Sequence, residues 1–176
     1  MNTMQERRTD EGTENKNRAA LWPDWAGTMI VCFSGAKDGV PAGKLWSFYF
    51  EQPRPFRGLD GLLFAMDAVM DEAGKPSPWC ERRSLLTKPK RRGAAGRQPY
   101  VPPPQPQDPF YGPDALAGRR GRLCTAAVRV YQRQNASMQG ELRVPGHESI
   151  CFRSALELLH LLREALELSG AKGACG

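Results

Sequence analysis

Two stretches of this 176-residue chain, almost a hundred positions apart, read as the same amphipathic helix. Phe56-Arg57-Gly58-Leu59-Asp60-Gly61-Leu62-Leu63 lays over Phe152-Arg153-Ser154-Ala155-Leu156-Glu157-Leu158-Leu159, and Met66, Val69 and Met70 then meet Leu162, Ala165 and Leu166. Apolar residues recur at three- and four-residue spacing in both, the period that puts them on one face of a helix. The first helix is predicted from about Arg57 to Ala73, with Gly74 and Pro76 as its stop; the second runs from about Arg153 to Leu168, closed by Ser169-Gly170. The correspondence extends upstream, where Gly43 precedes Phe56 by thirteen residues and Gly140 precedes Phe152 by twelve.

Each helix follows two strand-like runs. In the first block, Thr28 to Phe33 is β-branched and apolar, Ser34 to Gly39 reads as a loop, and Lys44 to Glu51 is an aromatic-rich strand with Trp46, Phe48 and Phe50 on one face. In the second, Leu123 to Gln134 alternates Ala126, Val128 and Val130 with Arg129, Tyr131 and Arg133. Asn135-Ala136-Ser137 forms the turn, Gln139 to Val144 the paired strand, and Ser149 to Phe152 a short extension. Two-stranded hairpins are marginal alone, so a ββα half needs its partner. The expected fold is α+β: duplicated ββα units forming a four-stranded antiparallel sheet with two helices on one face.

Charge divides the chain in the same way. Residues 74–122 hold eleven basic and three acidic groups and ten of the fifteen prolines, while the whole chain is only +6. Such a composition buries too little side chain to offset the entropy of ordering it. The expected organisation is therefore a disordered tail over 1–27, a first half over 28–73, a disordered basic Pro-rich insertion over 74–122, a second half over 123–170 and a tail over 171–176. No run of about 20 apolar residues is present to span a bilayer, and the polar N-terminus has no apolar signal core. Together with an odd count of five cysteines lacking any CxxC pair, this points to a reducing cytoplasm, with no membrane partner.

Two features favour a macromolecular ligand. The insertion carries Arg82, Arg83, Lys90, Arg91, Arg92, Arg119 and Arg120, and clustered basic groups bind phosphates by releasing counterions. The sheet face opposite the helices would carry Arg129, Tyr131 and Arg133, joined by Arg143 and Tyr49, and an open face with arginine and aromatic groups can stack bases. Against these stand a soluble spacer and ordinary strand alternation. His160 with Glu157, Glu164 and Glu167 forms a carboxylate and imidazole stripe that reads as the solvated side of its helix, and no metal site or cofactor is expected. No phosphate loop or catalytic triad spacing is present, so binding is expected rather than catalysis, with an RNA-cleaving enzyme as the alternative. A third reading uses the broad leucine face of the second helix, Leu156, Leu161 and Leu168, for an adaptor or a dimer.

The segment Arg133-Gln134-Asn135-Ala136-Ser137-Met138-Gln139-Gly140, followed by Phe152-Arg153-Ser154-Ala155-Leu156-Glu157-Leu158, resembles a set of small Firmicutes proteins with an R-Q-N-A-S-W-Q-G turn and an F-R-S-x-L-E-L helix start. Met138 stands where the set usually has Trp. Pro53-Arg54-Pro55-Phe56-Arg57-Gly58-Leu59 and Glu81-Arg82-Arg83-Ser84 are similar to its P-x-P-F-x-x-L and E-x-R-S segments. The resemblance singles out Gln134, Asn135, Ser137, Gln139 and Gly140 as the turn motif. More loosely, the chain is similar to anti-CRISPR proteins of phages and mobile elements that inhibit type II-A Cas9. That likeness implies a ligand made of RNA and protein, such as Cas9 and its guide RNA.

Overall fold

In the computed structural model, residues 24–76, 85, 108–134 and 137–173 are described. After a 3-10 turn at Asp24–Gly27 come β1 (Thr28–Lys37), β2 (Val40–Ser47), β3 (Arg54–Arg57) and α1 (Gly58–Ala73). The second half repeats the plan with β4 (Cys124–Gln134), β5 (Ser137–Arg143), β6 (Ile150–Phe152) and α2 (Ala155–Gly173). The fold is α+β, and its antiparallel sheet has six strands in the order β3-β2-β1-β4-β5-β6. The count of four fell short because each half adds a short edge strand before its helix. Pro55 tolerates that edge, since a proline on an outermost strand forfeits no interior ladder bond.

β1 and β4 lie side by side at the centre, so the two halves are arranged about that pair. Gly43 stands opposite Phe56 in the β2–β3 register, and Gly140 stands opposite Phe152 in the β5–β6 register. Both central strands are bulged at the same place: Ser34 is the extra residue of β1, between Phe33 and Gly35, and Tyr131 is that of β4, between Val130 and Gln132. The β1–β2 connection is shorter than the expected loop. Asp38 and Gly39 both take positive φ, 56° and 75°, which forms a two-residue hairpin whose twist suits the strands and extends β1 to Lys37. That registry ends β2 at Ser47, so Phe48 and Phe50 are not strand residues in line with Trp46, and Tyr49 does not stand on the open face; Phe48 and Tyr49 are buried in the turn that follows.

One core joins both halves. Val31, Phe33, Leu45, Val128 and Leu142 project from the sheet onto Leu62, Met66, Val69 and Met70 of α1 and Leu158, Leu162 and Ala165 of α2. Both helices therefore share one face of the sheet. Leu62, Met66, Leu158 and Leu162 are fully buried, each contributing about 1.5–3 kcal/mol by leaving water. Gly74 ends α1 in the left-handed conformation, its N–H donating to the Asp71 carbonyl. At the start of α2, Ser154 Oγ accepts from Glu157 N (3.1 Å) and Glu157 Oε2 accepts from the N–H of Arg153, one residue ahead of the cap (2.8 Å), a variant of the capping box.

Among the described residues, the opposite face of the sheet is half covered. Residues 108–122, expected within the unpacked insertion, form a strap across β1 and β2. Tyr111 N donates to Phe48 O (3.0 Å), Leu123 N to Phe33 O (3.0 Å), and Tyr111 Oη to Glu51 O (2.6 Å). Leu116, 1% exposed, packs in a second cluster with Ala26, Phe48 and Tyr49, beside Trp25, Ile30 and Trp46. These aromatic residues give the strap and the 3-10 turn an apolar surface to cover, which mean composition over 74–122 had hidden. The rest of the expected insertion, 77–84 and 86–107, lies outside the described residues, as does 1–23.

Candidate nucleic-acid interface

The bulge at Tyr131 decides which basic side chains reach the uncovered face. Up to Val130, β4 alternates regularly: Val128 and Val130 enter the core, and Arg129 points away from the helices. The extra residue inverts the alternation beyond it. Arg133 consequently turns to the helix side, where its side chain is only 4% exposed. It donates from Nη1 to Asp67 (2.9 Å) and Asp71 (2.6 Å) of α1 and from Nε to Pro76 O (2.6 Å). Arg133 thus belongs to a clamp between β4 and α1, and its expected place beside Arg129 and Tyr131 is corrected.

On the uncovered face, Arg129 and Glu141 are register partners, as are Ala127 and Arg143. Glu141 is the hub of this group. Its Oε1 accepts from Arg143 Nε at 2.7 Å and its Oε2 accepts from Tyr131 Oη at 2.6 Å. Arg143, then Tyr131 and Ser149, hold the Glu141 carboxyl down to about 2 by hydrogen bonding its charged form. The same bond to Glu141 pushes the Tyr131 phenol up, so the group is a carboxylate bridging a neutral phenol and a guanidinium. The Arg129 guanidinium lies over the Tyr131 ring, 5.2 Å from its centroid. Arg143 keeps 67% of its side chain exposed.

The strap adds two more cations at the margin. Arg119 lies on the Trp46 ring at 3.9 Å, and Arg120 donates to the carbonyls of Ala117 (2.7 Å) and Arg119 (2.9 Å). Among the described residues no carboxylate pairs with either. Two hollows flank Arg143. One, of about 370 Å³, is lined by Trp25, Thr28, Ala127, Arg129, Glu141 and Arg143. The other, of about 300 Å³, lies between Leu116 and Arg120 of the strap and the turn at His147. The structure therefore gathers Arg129, Tyr131, Arg143 and Arg120 around one region of the sheet, with Arg119 beside it.

Other expected site residues lie elsewhere. Arg82, Arg83, Lys90, Arg91, Arg92 and Asn135 are outside the described residues. Gln134 and Ser137 pair at the end of the β4–β5 hairpin, Gln139 pairs with Gln132, and Gly140 and Met138 are buried in the sheet. His160 is exposed on α2, where Glu157 caps the helix and Glu167 accepts from Arg163 at 3.0 Å. Among the described residues no three His, Cys, Asp or Glu are grouped to hold a metal ion, and no helix is long and apolar enough to cross a membrane. Sequence reasoning missed Trp25 and Glu141. Glu141 was legible by its two-residue spacing from Arg143; Trp25, a tryptophan at the end of a polar tail, carried a weaker signal. No protein-family model, no curated protein and no solved structure matches the chain.

Proposed function

We propose that this chain is a non-catalytic binding protein that engages single-stranded nucleic acid, or a ribonucleoprotein, through the bare half of its sheet. One observation carries the reading. The two halves of the uncovered face occupy equivalent places, yet they differ in chemistry. The β1–β2 half presents Ile30 and Trp46 and is covered by the chain's own strap. The β4–β5 half presents Arg129, Tyr131 and Arg143, with Glu141 bonded to the last two, and none of the described residues covers it as the strap covers the other half. Fixed guanidinium groups beside aromatic rings suit phosphates and unpaired bases. Clustered cations supply the affinity and make it dependent on salt.

The test is binding of a labelled single-stranded RNA followed by fluorescence anisotropy. The variant Arg129→Ala/Arg143→Ala should bind at least tenfold more weakly, whereas Arg153→Ala/Arg163→Ala, which removes two cations from the helix side, should bind as the parent does. Equal losses in both variants would reduce the interaction to net charge and remove the assignment to this face. The narrower reading, inhibition of type II-A Cas9, is supported by the looser resemblance of the architecture and the hairpin turn motif to inhibitors of that kind. It makes guide-loaded Cas9 the first ribonucleoprotein to test for co-elution and for loss of DNA cleavage.

A further inference from the structure

We infer that the hollow between Trp25 and Arg143 is a subsite for one unpaired nucleotide, its base stacked on the Trp25 indole and its phosphate held by Arg129 and Arg143. The inference rests on the nucleic-acid reading above and names what that face receives. Three features support it. The first is the size and composition of the hollow. Its volume of about 370 Å³ lies within the range of small-molecule sites, and one side is aromatic while the other holds two guanidinium groups. Its remaining lining is Thr28 and Ala127, whose short side chains leave room for a planar group against the strands, and Glu141, whose two carboxylate oxygens are already taken by Arg143 and Tyr131.

The second feature is the fixing of the aromatic wall. Trp25 meets Phe48 edge to face, with centroids 4.9 Å apart, and the neighbouring Ala26 is buried in the same cluster. The indole is thus placed by packing before any ligand arrives, which spares the ordering cost of a mobile side chain. The third feature is the division of labour within Arg143. Its Nε is used on Glu141, and among the described residues its terminal nitrogens have no protein partner. They are free to take the two-pronged geometry a phosphate accepts. Glu141 acts as a positioning residue for that guanidinium.

A paired base cannot enter such a hollow without leaving its helix, so the subsite should select single strands. Stacking accepts any base, so it should select sequence weakly. The experiment compares three labelled ligands on the full chain: an unpaired ten-nucleotide RNA of mixed sequence, the same RNA in a duplex, and its abasic ribose-phosphate counterpart. The unpaired RNA should bind about tenfold more tightly than the abasic strand, within the range of stacking one base on an aromatic side chain. Trp25→Ala should erase that difference while leaving abasic binding unchanged. Thr28→Leu, which crowds this hollow and leaves Trp25 in place, should do the same, so the result does not depend on how well the Trp25 variant folds. Equal affinity for the unpaired, duplex and abasic ligands would overturn the subsite while leaving a general phosphate-binding face. So would a preference for bases that survives both substitutions. Absence of binding to all three ligands would overturn the face and the subsite together.

Discussion

The ring of Phe152 lies over Gly140, its partner across the β5–β6 ladder, so closely that a Cβ built on Gly140 would stand 2.9 Å from Phe152 Cζ and 1.9 Å from Arg129 O. Gly43 sits beneath Phe56 in the other half, where a Cβ would meet Phe56 Cζ at 2.9 Å and Cys32 O at 2.1 Å. The carbonyls concerned belong to the central strands and cannot retreat without opening the ladder. Gly140→Ala or Gly43→Ala should therefore cost about 3 kcal/mol, at the upper end of overpacking penalties. Gly61→Ala is the control: no atom lies within 4 Å of its built Cβ, and an alanine inside a helix should gain roughly 0.5–1 kcal/mol. Urea denaturation of the three variants checks both signs.

These contacts also explain what the motifs encode. In the helix-start segment, Phe152 covers Gly140, Ser154 and Glu157 form the capping box, and Leu158 is a fully buried core residue. Its conspicuous residues are thus occupied in building the half, which is why the helices, the central strands and the two-half plan were legible from spacing alone. The edge strands were harder to place, because four residues at β3 are too short for a period to show and β6, three residues long, was legible only as the short extension at Ser149 to Phe152. The strap was hidden by averaging, since Tyr111 and Leu116 are scattered among prolines and charges. Arg133 failed for a different reason. Period-two reasoning holds until a bulge, and nothing in Val130-Tyr131-Gln132 marks the extra residue before its pairing with Gly140 and Gln139 is known.

Arg133 should be a residue of stability and not of binding. Removing it takes from Asp67 and Asp71 the guanidinium they share under β4. Breaking a buried ion pair costs about 3–5 kcal/mol, and because Asp71 is half exposed the loss here should be nearer to about 2 kcal/mol. Arg133→Ala should lower the denaturation midpoint accordingly. Adding Asp67→Asn and Asp71→Asn should recover part of the loss, since the two carboxylates then no longer repel.

Glu141 gives the bare face a pH dependence of known sign. Its carboxyl titrates near 2 in the folded chain against an ordinary 4.5, so folding favours the ionised form. The stabilisation is fully present above pH 4.5 and is lost as the pH falls from there toward 2. Glu141→Gln should consequently be less stable than the parent at pH 6, and the gap should close over that acid interval. Denaturation midpoints of the two proteins at pH 6, 4 and 2.5 measure it, and a gap independent of pH would mean that Glu141 acts by packing alone.

The two leucine populations of α2 should separate cleanly. Leu162 is fully buried, while Leu156 is 64% exposed. Leu162→Ala should cost about 2–5 kcal/mol through lost burial and the cavity left behind. Leu156→Glu should change the stability of the isolated chain by no more than about 0.5 kcal/mol. If light scattering shows a dimer that Leu156→Glu dissolves, the exposed leucine face is an interface between copies, as the breadth of the apolar stripe allows.

The salt dependence of RNA binding distinguishes the two sides of the sheet more sharply than affinity does. Each phosphate contact on a single strand contributes about −0.7 to the slope of log K against log salt. Arg129 and Arg143 stand on the bare face, so replacing both by alanine should reduce the magnitude of the slope by about 1.4, two contacts' worth. Arg133 carries the same charge on the same strand as Arg129, yet its guanidinium faces Asp67 and Asp71 of α1. Arg133→Ala, measured where it is still folded, should leave the slope unchanged. A common reduction in all these variants would mean that the ligand senses net charge at a distance; a reduction confined to Arg129 and Arg143 locates the phosphates on the face that the bulge at Tyr131 left to them.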